Sequence, residues 1–243
     1  MFLMGGLKMR DLLKKFIVKY KLNELKWLDL IWLAIFPLIN INYVILGAIA
    51  EKGKNLSLFL DKEIPFVSMF IFPYIYWYIY IFIGLIFILL KDRRKYIRAL
   101  LAVYIGMFIC YFIYYLFPVE IVRPTVVNNN LPNKLVNIIY QNDRPFNCFP
   151  SIHVLNTYII MRYTNRKENK SWFYYTQIVG ILIILSTLFI KQHFILDGIA
   201  AMVLGEIVIS ISKKIEDKHI DNILLLPYKL IDKIKEKNDI SIS

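Results

Sequence analysis

The sequence predicts an all-α polytopic membrane protein with six transmembrane helices and both termini in the cytoplasm. Three observations carry this. The chain of 243 residues is 58% hydrophobic and 16% aromatic, more than one water-soluble core would hold. Apolar runs of bilayer length recur along it, a membrane core needing about 20 helical residues at about 1.5 Å each. Its 30 Lys and Arg are gathered into alternate connections between those runs.

The first span runs from about Leu28 to Ala50 and is the least clean, with Asp29 at its start and Pro37, Asn40 and Asn42 within. The second, Ile64 to Leu90, contains no charge, and Pro65 suits a first helical turn. The third covers Ala99 to Val119, the fourth Phe149 to Met161, the fifth Trp172 to Ile190 and the sixth about Gln192 to Ser212. The fourth is short, and charge decides in its favour. Seven Lys and Arg precede residue 27, five lie in 91–98, four in 162–170 and seven after residue 212. Only Lys52, Lys54, Lys62, Arg123, Lys134, Arg144 and Lys191 lie elsewhere. With six spans every rich segment falls on one face, the cytoplasmic one by the positive-inside rule, and the 120–150 loop and the turn at Lys191 share the other.

Three units follow: a basic amphipathic N-terminal segment over 1–26, a six-helix transmembrane domain over 27–212, and a basic amphipathic tail over 213–243. LKMRDLLKKFIVKYK (7–21) reads as a helix lying on the inner membrane surface. The tail is similar, with Pro227 expected to break ILLLPYKLIDKI. Residues 51–64 suit an outer interfacial loop. MFLMGGLKMR lacks the apolar stretch of a signal peptide, so no cleavage is expected. The net charge of +12 reads as membrane orientation, not nucleic-acid binding. Two cysteines, Cys110 in an apolar run and Cys148 in a loop, make no disulfide framework and have no zinc-site spacing.

Chemistry concentrates in two stretches, NCFPSIHV around His153 and KQHFILDGIAA around His193 and Asp197. Residues four apart share a helix face, so Asp197 can accept a hydrogen bond from the His193 ring, fixing its tautomer and freeing its other nitrogen. The six-span topology brings both stretches to one membrane depth. Two readings stay open on the residues alone besides a catalytic one: interfacial polar residues without chemistry, and a metal site of two histidines and a carboxylate. His219 lies in the tail, away from either. Glu206, about 13 Å deeper than Asp197 along the sixth span, needs a partner or a proton.

FPSIHV, followed by a histidine and an aspartate four residues beyond it, resembles the second and third motifs of the type-2 phosphatidic acid phosphatase superfamily, over roughly residues 60–212. Within it, NCFPSIHV and KQHFILDGIAA are most similar to the branch around inositol phosphorylceramide synthase. The chain departs from the family pattern in three places. Ile152 stands where glycine is frequent. Ser186-Thr187 replaces a serine-arginine pair, so a phosphate-binding arginine is missing. Arg123-Pro124 and Arg144-Pro145 both offer the first motif's Arg-Pro, and neither has a lysine at the family spacing.

The resemblance implies a six-helix, metal-independent lipid phosphatase or phosphotransferase of the cell membrane, without a cofactor, acting at the extracytoplasmic face on a lipid phosphate or pyrophosphate. His193 would attack phosphorus with Asp197 orienting it. His153 would protonate the leaving alkoxide and then serve as base. Ser151 and the amides at its helix start would hold phosphate oxygens, with Arg123, Lys191 and, second to Arg123, Arg144 neutralising their charge. The competing class is a lipid-phosphate binder or transporter; a transporter would show helices broken at mid-membrane, for which only the first span, with Pro37, gives a hint. The substrate's headgroup, the choice between hydrolysis and transfer to an alcohol, and the oligomeric state are not written in these residues.

Overall fold

A computed structural model describes residues 27–240, and side chains through residue 235; the predicted amphipathic segment 1–26 lies outside the described residues. The described chain is all-helical. A 3-10 turn at Trp27–Leu30 leads into α1 (Ile31–Ile49). A short α2 (Phe59–Glu63) and a 3-10 turn at Ser68–Phe70 precede α3 (Ile71–Lys91) and α4 (Arg93–Leu116). Then come α5 (Leu131–Asn142), α6 (Ile152–Tyr163), α7 (Lys170–Phe189), α8 (Ile195–Lys214) and α9 (Asp217–Ile240).

Among the described residues, five stretches are long and apolar enough to cross a membrane: Trp27–Ile49, Ser68–Lys91, Arg93–Leu116, Lys170–Phe189 and Ile195–Lys214. They correspond to the predicted first, second, third, fifth and sixth spans. The predicted fourth is α6, whose 12 residues rise only about 18 Å. Its place explains its length. Nine of the twelve are buried, and α6 packs against α3, α4, α7 and α8 at once. The surrounding helices offer it notches. A Cβ on Gly84 of α3 would lie 2.6 Å from Ile160, on Gly106 of α4 2.8 Å from Leu155, on Gly180 of α7 2.5 Å from Met161, and on Gly205 of α8 2.8 Å from Tyr158. Small residues at such crossings let helix axes approach closely, where packing replaces the hydrophobic effect. The outer helices keep greasy outward faces instead, such as Ile199, Val203, Ile207 and Ile211 at four-residue intervals on α8.

The ends of the bundle differ. At one end, Asp92 caps α4 by accepting from Lys95 N–H, and Arg93 clamps the buried Asp29 through its Nε (2.5 Å) and a terminal nitrogen (2.9 Å). Here α9 docks. Ile220 and Leu224 are buried, Arg94 holds Asp221, and Tyr228 donates to Asp29. Pro227 does not break α9 as the sequence suggested; it is buried inside a continuous helix pinned on both sides of it. Pro37 is likewise carried within α1 without a break. Glu206 finds its partners sideways, accepting from Tyr158 (2.6 Å) and pairing with Arg162 (2.6 Å).

At the other end lie the connections that the sequence assigned to loops. Residues 54, 119 and 147 join as isolated extended bridges, tied by Lys54 N–H to Pro118 O and Ile121 N–H to Pro145 O. Pro65 sits in an extended segment instead of a first helical turn, because Val67 N–H is drawn to Phe189 O. The 120–150 segment, expected as a loop, contains the helix α5. Its signals were present: Asn130 caps it through Asn133 N–H, and Pro132 stands in its first turn.

Candidate active site

α6 and α8 begin side by side. Ser151 caps α6, its Oγ accepting from Val154 N–H, and its own N–H donates to the carbonyl of Asp197 in the first turn of α8. That staple brings the two motif stretches together. The His153 and His193 ring centroids are 5.8 Å apart.

His193 precedes the helix instead of lying on its face, since α8 starts at Ile195. It still reaches Asp197, with Nδ1 3.3 Å from Oδ2, and Nδ1 lies 3.0 Å from the carbonyl of Cys148. A carbonyl oxygen only accepts, so Nδ1 carries the proton. Nε2 is therefore the nitrogen with the free lone pair. Asp197 Oδ2 also accepts from Phe194 N–H at 2.8 Å, while Oδ1 is buried without a partner among the described residues. A buried carboxylate in such a place stabilises positive charge on the ring beside it.

The His193 loop is fixed by a turn that sequence reading missed. Lys191 N–H bonds Leu188 O and Gln192 N–H bonds Thr187 O, with Lys191 at a φ of 52°. This is a Schellman-type end to α7 with lysine where glycine is usual. The Lys191 ammonium is drawn to the carbonyls of Asp61 and Ile64. Burial lowers its pKa, opposed by the Asp61 charge. Asp61 completes the brace, accepting from Leu58 N–H (2.7 Å) and from Ile195 N–H (2.8 Å) at the start of α8. A carboxylate amid Leu58, Phe59 and Leu60 was the signal for it.

His153 is set by aromatics. It stacks on Tyr74 at 4.6 Å and lies 4.4 Å from Trp77, residues three apart on α3, and its Nε2 has no partner among the described residues. Distant contacts of this kind leave no local trace in sequence.

The two histidines open onto different cavities. One of about 400 Å³ is lined by His193, Arg123, Lys191 and Asp61. Another of about 270 Å³ is lined by His153, Tyr43, Asn142, Asp143, Arg144 and Asn147. Arg123 is nearly buried; it donates to the carbonyls of Asp143 (2.5 Å) and Tyr140 (3.3 Å) and to Gln192 Oε1. Its Nε and Gln192 Nε2 are buried donors without partners among the described residues. Arg144, the alternative, donates to Ala48 O at 2.6 Å and lies over the Phe146 ring, on the His153 side. Asp143 accepts from Tyr43 at 2.8 Å. Burial raises its pKa, opposed by the Arg123 guanidinium and the Tyr43 hydroxyl. The structure thus brings together His153, His193, Asp197 and Ser151, sets Arg123 and Lys191 beside His193, and sets Arg144 beside the other cavity.

Among the described residues one group has metal-ligand proximity: Cys148, His193 and Asp197, all buried, with ligand atoms within 4.8 Å of one another. His153 is not part of it, so the two-histidine metal set considered from sequence is not the one assembled here.

Fold and site together define an integral membrane protein with a polar cluster of two histidines and an aspartate at one end of its helical bundle. A family model described as the PAP2 superfamily matches residues 53–211, and the chain belongs to that superfamily. The match covers α2 through most of α8 and leaves α1 and α9 outside it. Comparisons with curated proteins and with solved structures give no match.

Proposed function

We propose that the protein cleaves a phosphoester of a membrane lipid at the outer face of the cell membrane, through a phosphohistidine on His193. One observation carries the reading. His193 has its Nδ1 committed to Cys148 O and Asp197, leaving Nε2 free, and a second imidazole stands 5.8 Å away, a separation that one phosphoryl group can bridge. Superfamily membership supports lipid phosphates as the general substrate class.

In the first step Nε2 of His193 attacks phosphorus. The P–O bond to the lipid alkoxide breaks, and that oxygen takes a proton from protonated His153. The Asp197 carboxylate offsets the charge gained by the His193 ring. In the second step neutral His153 takes a proton from water, whose oxygen attacks phosphorus as the P–N bond breaks. The unpartnered Arg123 Nε and Gln192 Nε2 and the first amides of α6 are the donors at hand for phosphate oxygens. Lys191 contributes its charge while bracing the turn. No step needs a metal.

The topology that suits this chemistry has six crossings. α6, extended by residues 145–151, makes the fourth, both termini are cytoplasmic, and 1–26 and 213–243 flank the 27–212 domain. Transfer to an alcohol shares the first step. It is favoured by the separate cavity beside His153, where Tyr43, Asn142 and Asn147 offer an acceptor hydroxyl more polar contacts than water needs. That version matches the resemblance to the inositol phosphorylceramide synthase branch.

The test is phosphate release from a panel of lipid phosphates and pyrophosphates in detergent with EDTA, with His193→Ala as blank. Release by the wild type alone supports the reading. Turnover retained in His193→Ala refutes the nucleophile. Absence of phosphate release, together with absence of any phosphorylated product when alcohol acceptors are added, leaves a lipid-phosphate binder.

A further inference from the structure

A cavity near the α9 end is unrelated to the histidines. It measures about 670 Å³ and is lined by six cationic side chains and two carboxylates. Lys213 lies sixteen residues along α8 from Asp197, about 24 Å away, so the cavity is at the opposite end of the bundle. Four of its cations hold carboxylates: Lys95 pairs with Glu168, Arg162 with Glu206, Arg94 with Asp221, and Arg98, together with Arg94, with Asp217. Arg94, Arg98, Arg166 and Lys213 converge from α4, the α6–α7 connection and α8.

Arg98 and Arg94 show what they accept. Arg98 donates to Asp217 Oδ1 at 2.7 Å, and Arg94 to Oδ2 of the same carboxylate at 3.1 Å. One side chain of α9, itself well exposed, thus sits between two guanidinium groups as a resident anion. Arg166 and Lys213 have no ion-pair partner among the described residues; their charges lie against the Tyr174 and Tyr163 rings, at 5.5 and 5.8 Å. Two paired guanidinium groups and two unspent cations around one open volume suit a ligand with more oxygens and more charge than a carboxylate.

We propose that this basic cavity is a second anion site, taking the phosphate group of an anionic phospholipid headgroup or of free phosphate. The bound phosphate shares Arg94 and Arg98 with Asp217 and draws in Arg166 and Lys213. Because Asp217 stands in the first turn of α9, occupancy braces the junction between the bundle and its terminal helix. A basic cavity between helix ends at a membrane interface is well placed for a lipid headgroup. The proposal does not depend on chemistry at His193.

The experiment uses the full chain in nanodiscs of neutral phosphatidylcholine. The thermal unfolding midpoint is read in three states: neutral lipid alone, with phosphatidylglycerol added to the disc, and with millimolar inorganic phosphate added outside. The same is done for the double variant Arg166→Gln/Lys213→Gln, chosen because neither residue holds an ion pair. The expected result is a rise of several degrees in the wild type that the double variant loses, while the two proteins match in neutral lipid. A rise with phosphatidylglycerol alone identifies the headgroup, and a rise with phosphate alone identifies the free anion. An equal rise in both proteins places the effect elsewhere and overturns the proposal, as does no rise with either anion. Should the double variant differ in neutral lipid, Lys213→Gln alone repeats the comparison under the same criteria.

Discussion

Asp197→Asn separates charge from shape at the candidate site. The amide oxygen can take the place of Oδ2, still accepting from Phe194 N–H and His193 Nδ1, and the NH2 falls where Oδ1 has no partner. The Cys148 carbonyl, 3.0 Å away, independently keeps the proton on Nδ1. What is lost is a negative charge 3.3 Å from the ring that becomes cationic. Two unit charges at that distance attract by about 5 kcal/mol at an effective dielectric near 20, and by about 3 when the ring's charge is spread. Turnover should therefore fall ~10²–10⁴-fold, with little change in thermal midpoint or in elution from a sizing column. The assay is initial-rate phosphate release from the best lipid phosphate of the panel. A loss below tenfold in a folded protein would refute the charge argument and leave Asp197 as a helix cap only.

Three other outcomes are expected. His153→Gln should lower turnover on lipid alkoxide esters by ~10²–10⁴-fold, and much less on a phosphate ester with an acidic leaving group; an equal loss on both would remove His153 from the acid role. Gly84→Ala forces a Cβ to within 2.6 Å of the branched Ile160 and should cost about 1–3 kcal/mol, seen as a lower unfolding midpoint, whereas Gly198→Ala, whose nearest neighbour is 3.9 Å away, should be close to neutral at the backbone of the same bundle. Burial raises the pKa of Asp143, so the folded state holds that proton more tightly than the unfolded chain does. Stability should decline as pH rises from the ordinary carboxylate range through the raised value, then level off; Asp143→Asn should flatten that decline, as read by midpoint against pH.

Much of the bundle was legible because lipid imposes a crude rule. Leu28–Ala50, Ile64–Leu90 and Trp172–Ile190 were found as apolar runs, and the helices lie within a few residues of them, apart from a delayed start to α3. The exceptions are where backbone polar groups find tertiary partners. Val67 N–H goes to Phe189 O, so Pro65 stays extended. α9 carries Pro227 because Ile220, Leu224 and Tyr228 pin it. At the site, His153, His193 and Asp197 were visible because histidines and carboxylates are rare at apolar edges. The supports were not. Tyr74 and Trp77 look like any span-facing aromatics until α6 lies against them, and the Asp61–Lys191 brace joins residues 130 apart. Lys191 was read for its charge, while its turn and its carbonyl contacts were hidden by having lysine where glycine marks such a bend.

The short α6 has a mechanical consequence. Helices that meet lipid must tilt or stretch the bilayer when its thickness does not match their own, at a modest energy per ångström. Nine of the twelve residues of α6 are buried, the helix is seated in notches on four neighbours, and it carries His153 on its first turn. Changes in membrane thickness would be absorbed by the outer helices as tilt, leaving the spacing between the histidines nearly constant. An enzyme built this way should keep its rate across bilayers of different acyl-chain length, and so work alike in thin and thick regions of one membrane.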